Sequence, residues 1–176
     1  MKTFKMFLGI FLMILALTSC VVGPAGPVGP AGPEGNANVV SSTVEVGSND
    51  WVYDANGSCW VLDLSWNEID VDMVDYGAVL VYFENPNPSV LAWHQLPLTL
   101  YPSSLYSSTM ETSYYDYGLS VFWTNSDLQQ HENPCYLYGS NLTFKIVLID
   151  ATVYMDYQDT DFSNYETVKQ LFNLQD

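Results

Sequence analysis

Two histidines are all this chain offers to a general-base mechanism, and neither has the right company. His94 stands between Trp93 and Gln95 in a strand-like stretch, and His131 sits in Gln-Gln-His-Glu-Asn-Pro, a turn. A hydrolase triad needs a serine on a strained G-x-S-x-G elbow or an equivalent placement, and no such motif occurs. Zinc is no better served, because the two histidines and three cysteines show none of the close ligand spacings of a zinc site. Acids are plentiful, with Glu68, Asp70, Asp72 and Asp75 in one group and Asp156, Asp159 and Asp161 in another. An EF-hand loop read from Asp159 puts Asn164 where glycine is required and Gln170 where a bidentate glutamate belongs, so the calcium motif fails. A glycosidase needs two carboxylates across a cleft, which chain spacing cannot place. The expectation is a protein without catalytic residues, metal or cofactor.

Two residue types remain. Tyrosines cluster in Tyr101-Pro-Ser-Ser-Leu-Tyr106 and in Ser113-Tyr114-Tyr115-Asp116-Tyr117-Gly118. Read as loops at the ends of strands, Tyr101, Tyr106, Tyr114, Tyr115 and Tyr117 are candidates for binding a glycan or peptide. Aromatic faces beside carboxylates suit the C–H surface of a sugar, although tyrosines pack equally well along strand edges with the hydroxyl in water. Cys59 and Cys135 form a candidate disulfide if the chain is exported, since oxidising compartments favour pairing. Cys59 shares strand parity with Val61, Asp63 and Ser65, a face assigned to solvent, so a bond needs neighbouring strands of one sheet. Two unpaired thiols are the alternative.

The elements that would position these residues are short strands. Val40, Ser42, Val44 and Val46 share one side of an alternating run, as do Trp60, Leu62, Leu64 and Trp66, and Leu119, Val121 and Trp123. Ala78 to Phe83 and Phe144 to Ile149 are continuous apolar runs of the kind found in central strands. Val90 to Gln95 and Leu98 to Tyr101 add two short strands around Pro97, and Asn67 to Asp75 leaves room for one helical turn. About seven strands separated by Gly, Pro, Asn and Ser clusters, with no βαβ rhythm, give an all-β antiparallel sandwich over residues 36–176. One short helix closes the chain. Ser163-Asn164-Tyr165-Glu166 reads as a capping box, and Tyr165, Val168, Leu171 and Phe172 form the stripe that would dock on the sandwich.

Upstream the texture is different. Glycine falls at 23, 26, 29, 32 and 35, with proline after each of the first four. This is a collagen-like Gly-Pro-x segment, in which only glycine fits the axis of a triple helix. Four triplets suit a stiff stalk, extending about 40 Å at roughly 3.1 Å per residue over residues 23–35. A homotrimer joined through residues 23–35 is the alternative. Lys2 and Lys5 precede a twelve-residue apolar run, Met6 to Leu17, the length of a signal h-region and too short to span a bilayer.

That run ends in Leu17-Thr18-Ser19-Cys20, which resembles the lipobox of bacterial lipoproteins. The resemblance implies cleavage after Ser19, so that residues 1–19 are a signal peptide, and lipid on Cys20 as the membrane contact. Several acyl chains, each contributing about 0.8 kcal/mol per buried CH₂, anchor durably where one does not. With the Asn36 to Val39 entry, the Asp75-Tyr76-Gly77 and Trp93-His94-Gln95-Leu96-Pro97 stretches, the Phe144 to Ile149 strand and the Asn164 to Lys169 helix, the whole layout resembles the collagen-like lipoproteins of unknown function numerous in Bacteroidota. That family implies a cell-envelope location on the outer membrane and carries no established activity. Surface-exposed lipoproteins there often bear acids just after the cysteine; here Val21-Val22-Gly23-Pro24 follows and the first acid is Glu34, which leaves the membrane face open.

Removal of residues 1–19 leaves two lysines against twenty acids, a side-chain charge of −18. Such a surface repels phosphate backbones and anionic head groups, which argues against nucleic acid and leaves membrane contact to the lipid. Two functions follow as expectations: a non-enzymatic structural or protein-interaction module on a stalk, or a lipoprotein that binds glycan or peptide through its loop tyrosines.

Overall fold

The computed structural model describes residues 38–86 and 92–174, all within the compact unit Pro33–Asp176. The signal peptide, Cys20 and the collagen-like segment lie outside the described residues.

The described chain is an all-β sandwich of two antiparallel sheets. The first runs in the order β1 (Val39–Val46), β9 (Leu142–Ile149), β4 (Ala78–Glu84), β5 (Trp93–Gln95). The second is ordered β2 (Trp51–Asp54), β3 (Cys59–Ser65), β8 (Gly118–Asn125), β7 (Ser108–Tyr115), β6 (Leu98–Leu100). The chain passes from β5 to β6, and so from the first sheet to the second, through the cis Leu96–Pro97 bond. Four short helices complete it: α1 (Val71–Tyr76), α2 (Pro134–Tyr138), α3 (Ala151–Asp156) and α4 (Tyr165–Phe172).

Each strand's pattern follows from what covers it. In β3 and β8 the residues Leu62, Leu119, Val121 and Trp123 face the first sheet and are buried, while Asp63 on the other side is exposed. The second sheet has one wet face, and its strands alternate. β4 and β9 are covered on both faces. Val81, Phe83, Phe144, Ile146 and Leu148 join the core between the sheets. Leu80, Tyr82, Val147 and Ile149 join a second core, closed by Val153 of α3 and by Tyr165, Val168 and Phe172 of α4. A strand buried on both sides reads as a continuous apolar run. The two runs in the sequence are these strands.

The one charged residue of β9 is absorbed by aromatic rings. Lys145 is buried in the second layer with Nζ 5.1 Å from the centre of the Trp93 ring and 5.0 Å from that of Tyr165. Beside it the Tyr82 hydroxyl donates to the Phe162 carbonyl at 2.6 Å, tying the central strand to the segment before α4.

The C-terminal helix begins one residue later than the S-x-x-E pattern suggests. Asn164, not Ser163, is the cap, its carboxamide oxygen accepting from the Glu166 and Thr167 amides. Tyr165, Val168 and Phe172 dock as expected, whereas Leu171 faces solvent.

Strand direction gives the sandwich two distinct ends. Val39 and Ala78 both pair with Ile149, and the Asp150 amide donates to the Asn38 carbonyl, so the chain enters beside the end of β9. α1 packs against β4, β7 and α3, and the Tyr117 amide donates to the Ile69 carbonyl, which places the β7–β8 turn at that same entry end. The opposite end holds Val46, α2 and the loops 101–107 and 126–133, joined by the contact of the Cys135 thiol with the Val46 carbonyl at 3.6 Å.

Candidate functional site

Three described segments meet at the end opposite chain entry. Loop 101–107 joins β6 to β7, loop 126–133 leaves β8, and α2 follows it directly. The first two are bound together: the Ser126 amide donates to the Ser107 carbonyl at 2.8 Å and the Ser107 amide to the Ser126 hydroxyl at 3.1 Å. Beneath them the Ser108 hydroxyl donates to Asn125 Oδ1 at 2.7 Å, and Asn125 Nδ2 donates to the Gln129 carbonyl at 3.0 Å. The Trp60 indole reaches across from β3 to donate to the His131 carbonyl at 2.9 Å. Asn133 caps α2 by accepting from the Tyr136 amide, and its amide nitrogen donates to the Ser48 carbonyl at 3.0 Å. Pro134 occupies the first turn of α2, where its missing N–H costs nothing.

Among the exposed side chains of this end, beside Ser104, Ser126, Asp127, Gln129, Gln130 and Glu132, several are large and apolar. Tyr101 is 80% exposed, Leu105 89%, Leu128 61% and Tyr136 63%. A cavity of about 290 Å³ opens between β6 and α2, lined by Leu100, Tyr101, Pro102, Leu137 and Tyr138. Leu128 also has φ +58°, a left-handed conformation that costs a branched side chain about 1 kcal/mol or more.

His131 belongs to the same end. Its Nε2 lies 2.8 Å from Asp127 Oδ2, and its ring stacks on Tyr106. The hydrogen bond from His131, followed by that from the Gln129 amide, holds the Asp127 carboxyl below its ordinary range. Among the described residues no serine hydroxyl is hydrogen-bonded to His131, and the Ser126 hydroxyl is engaged by Ser107. The pair ties loop 126–133 to loop 101–107 through the Tyr106 stack. His94 lies in β5 opposite Phe83, far along the chain from any such partner.

The five tyrosines named from the sequence do not form one surface. Tyr101 and Tyr106 lie at this end, whereas Tyr114, Tyr115 and Tyr117 lie at the entry end, the length of β7 away, about 24 Å. Tyr114 and Tyr115 are in β7 itself and not in a loop, and the Tyr115 ring covers Gly118 so closely that a Cβ there would be 2.8 Å from it. Tyr117, at φ +66°, is fixed by its amide to Ile69 and by its carbonyl, which accepts from the Trp66 amide at 2.8 Å. Leu105, Leu128, Tyr136 and Leu137 carry no motif. The one signal in the chain is an isolated leucine inside the polar stretch Ser126-Asp-Leu-Gln-Gln-His131.

Among the described residues Cys59 and Cys135 are free thiols and do not pair. Cys135 belongs to the core between the sheets, whereas Cys59 lies on the outer face of the second sheet, opposite Thr124. The face that Cys59 shares with Asp63 and Ser65 is open to solvent, but Cys59 itself is buried. The turn 54–59 folds over it, with the Asn56 and Gly57 amides donating to the Asp54 carboxylate and Gly57 seated against the sulfur. Burial pushes both thiols above the ordinary range, helped at Cys59 by Asp54 and Glu111.

Three acids of these regions serve as local caps. Asp70 accepts from the Met73 amide at the start of α1, Asp150 from Thr152 at the start of α3, and Asp161 from the Ser163 amide. Among the described residues no group of three or more His, Cys, Asp or Glu is placed to hold a metal ion. No helix among them is long and apolar enough to cross a membrane. A cleft of about 330 Å³ beside Trp93 and the start of α4 is rimmed by Ser163, Asn164 and Glu166, but the Asn164 oxygen there is already used in capping. No family model, curated protein or solved structure matches the chain.

Proposed function

We propose that this is a lipid-anchored protein of the bacterial cell envelope, in which the sandwich is a non-enzymatic structural or protein-interaction module carried on a stalk. The anchoring half of the reading rests on Leu17-Thr18-Ser19-Cys20 and the Gly-Pro-x repeat after it, in keeping with the resemblance to collagen-like lipoproteins. The interaction half rests on one observation: the chain enters the sandwich at one end, and an apolar cavity with exposed leucines and tyrosines occupies the other. Exposed apolar side chains occur at the entry end as well, among them Val71, Tyr76, Tyr115, Tyr117 and Met155, so it is the apolar cavity that singles out the far end. Two experiments test the halves separately. Labelled fatty acid enters the wild type and not Cys20→Ala; equal label in both sinks the anchor. A photo-crosslinking side chain at position 105 forms adducts in cells that the same group at Val52, on the outer face of the second sheet, does not; equal adducts sink the interaction reading.

A glycan- or peptide-binding role for the tyrosines is the second reading. Tyr117 favours it, since a 56% exposed aromatic ring held at positive φ is an unusual choice for a turn. Glycan-array binding lost in Tyr117→Ala supports it, and a blank array removes it.

A further inference from the structure

We infer that the free edge of β1 is a dimerisation surface whose partner is β1 of a second copy, running antiparallel with Ser42 opposite Ser42. This goes beyond the proposed function and stands whether or not the far end of the sandwich has a partner.

β1 is an edge of the first sheet, matched to β9 over eight residues without a bulge. Among the described residues no strand lies on its other side. The Asp150 amide donates to the Asn38 carbonyl, so the hydrogen-bonded pairs of this ladder fall at the even positions of β1. The amides and carbonyls of Val39, Ser41, Thr43 and Glu45 therefore point away from β9. The other edges are short, since β2 has four residues and β5 and β6 have three each. Shortness keeps an edge from pairing, as do lysine, proline and bulges, and β1 has none of these devices.

Register selects the occupant. A second β1 meets the outward groups when odd residues face odd residues in antiparallel order. Centred on Ser42, it places Ser41 opposite Thr43 and Val39 opposite Glu45, so all four outward residues of both strands are engaged. Centring on Ser41 or Thr43 engages only three, because Glu45 or Val39 then lies beyond the end of the other strand. The contact is isologous, and it joins the two first sheets into one.

The side chains agree with this register. Val44 and Val46 pack into the core between the sheets, and Val40 shares their side, yet Val40 is 47% exposed. Val44 of the second copy lies directly opposite it, in the closer, non-hydrogen-bonded kind of pair. Glu45 is the one charged residue of β1, and it faces Val39. The two Glu45 residues are then about 20 Å apart along the strands, well beyond the screening length of about 8 Å at physiological salt. An edge with a single charge selects neither a basic nor an acidic strand. Main-chain bonds supply the affinity of such strand addition, and alternate side chains its specificity.

The test uses full-length protein at about 0.15 M salt, where repulsion between two acidic chains is screened. Ser42→Cys brings two thiols across the axis with Cα atoms about 4.5 Å apart, within disulfide reach. Ser41→Cys leaves its pair more than about 7 Å apart, out of reach. Mild oxidation is expected to give a disulfide-linked dimer from Ser42→Cys in at least about tenfold higher yield than from Ser41→Cys or the parent chain. Thr43→Pro removes an amide that β9 does not use, at an edge position where proline is tolerated. Added to Ser42→Cys, it is expected to lower the yield about tenfold with the far-UV circular dichroism unchanged. Equal yields from Ser41→Cys and Ser42→Cys overturn the inference, because copies that merely collide have no register. No linked dimer from Ser42→Cys overturns it as well. Should Thr43→Pro unfold the chain, the comparison of the two cysteine variants decides alone.

Discussion

The Tyr106 ring lies 4.0 Å from that of His131 and within 4° of parallel, and this stack is where loop 101–107 meets loop 126–133. The other edge of the imidazole is held by Asp127 at 2.8 Å. Two loops far apart in sequence thus share one aromatic hinge pin, and the geometry of the exposed leucines on either side depends on it.

His131→Ala removes both contacts. The Asp127 carboxyl, now held below its ordinary value of 3.8 chiefly by the His131 hydrogen bond, should titrate closer to that value. The sign follows from linkage: a carboxyl whose folded pKa is depressed contributes stability above the ordinary value and loses it as pH falls through the depressed one. Carboxyl chemical shifts of Asp127 followed by NMR from neutral pH downward check this. An unchanged midpoint in the variant means that the pair is not formed in solution.

Leu128→Gly should stabilise the domain by about 0.5 kcal/mol. Relief of a left-handed leucine is partly offset by the greater freedom of glycine in the unfolded chain. The urea midpoint should therefore rise slightly with an unchanged m-value. A clear fall would mean that the leucine packs more than its exposure indicates.

Neighbouring residues of β8 should respond very differently to truncation. Trp123 faces the core between the sheets and is fully buried, while Phe122 sits half-buried on the outer face of the second sheet. Trp123→Ala should cost about 4 kcal/mol and Phe122→Ala about 1 kcal/mol, measured by equilibrium unfolding. Similar costs would mean that the outer face is covered.

The thiols should be slow to react in the folded protein and fast once it is unfolded. Both sulfurs are buried and both pKa values are raised, chiefly by burial, so little thiolate is present at neutral pH. Mass spectrometry of unreduced protein, alkylated after denaturation, should find alkylated Cys59 and Cys135. Loss of two hydrogens in their place would mean that the exported protein bridges them by moving β3 or α2.

Where a strand's environment is uniform along its length, the residues announce it. β4 and β9 are apolar over most of their length because both faces are covered, and β3 and β8 alternate because one is not. β7 was illegible for the opposite reason: in Ser-Thr-Met-Glu-Thr-Ser-Tyr-Tyr only Met110 is both apolar and fully buried, so no period emerges, and the tyrosines read as a loop. β2 is four residues at a sheet edge, and α2 and α3, at five and six residues, complete too few turns for a helical stripe to show. The cavity was beyond reach of the sequence altogether. Its walls come from β6 and from α2, some 35 residues on, and are brought together only by the tertiary fold.

The antiparallel seam between β1 and β9 sets how the molecule would carry a mechanical load. β1 begins where the chain enters and runs toward the far end, matched to β9 over eight residues from Val39↔Ile149 to Val46↔Leu142. A pull between the entry point and a partner held at the cavity acts along the strand axes. The eight pairs are then sheared together, and none can peel away ahead of the rest. A partner seated on the wet face of the second sheet would instead pull across the strands and open them one pair at a time. With entry at one end and a partner held at the other, an ordinary edge strand would become a tension-bearing clamp.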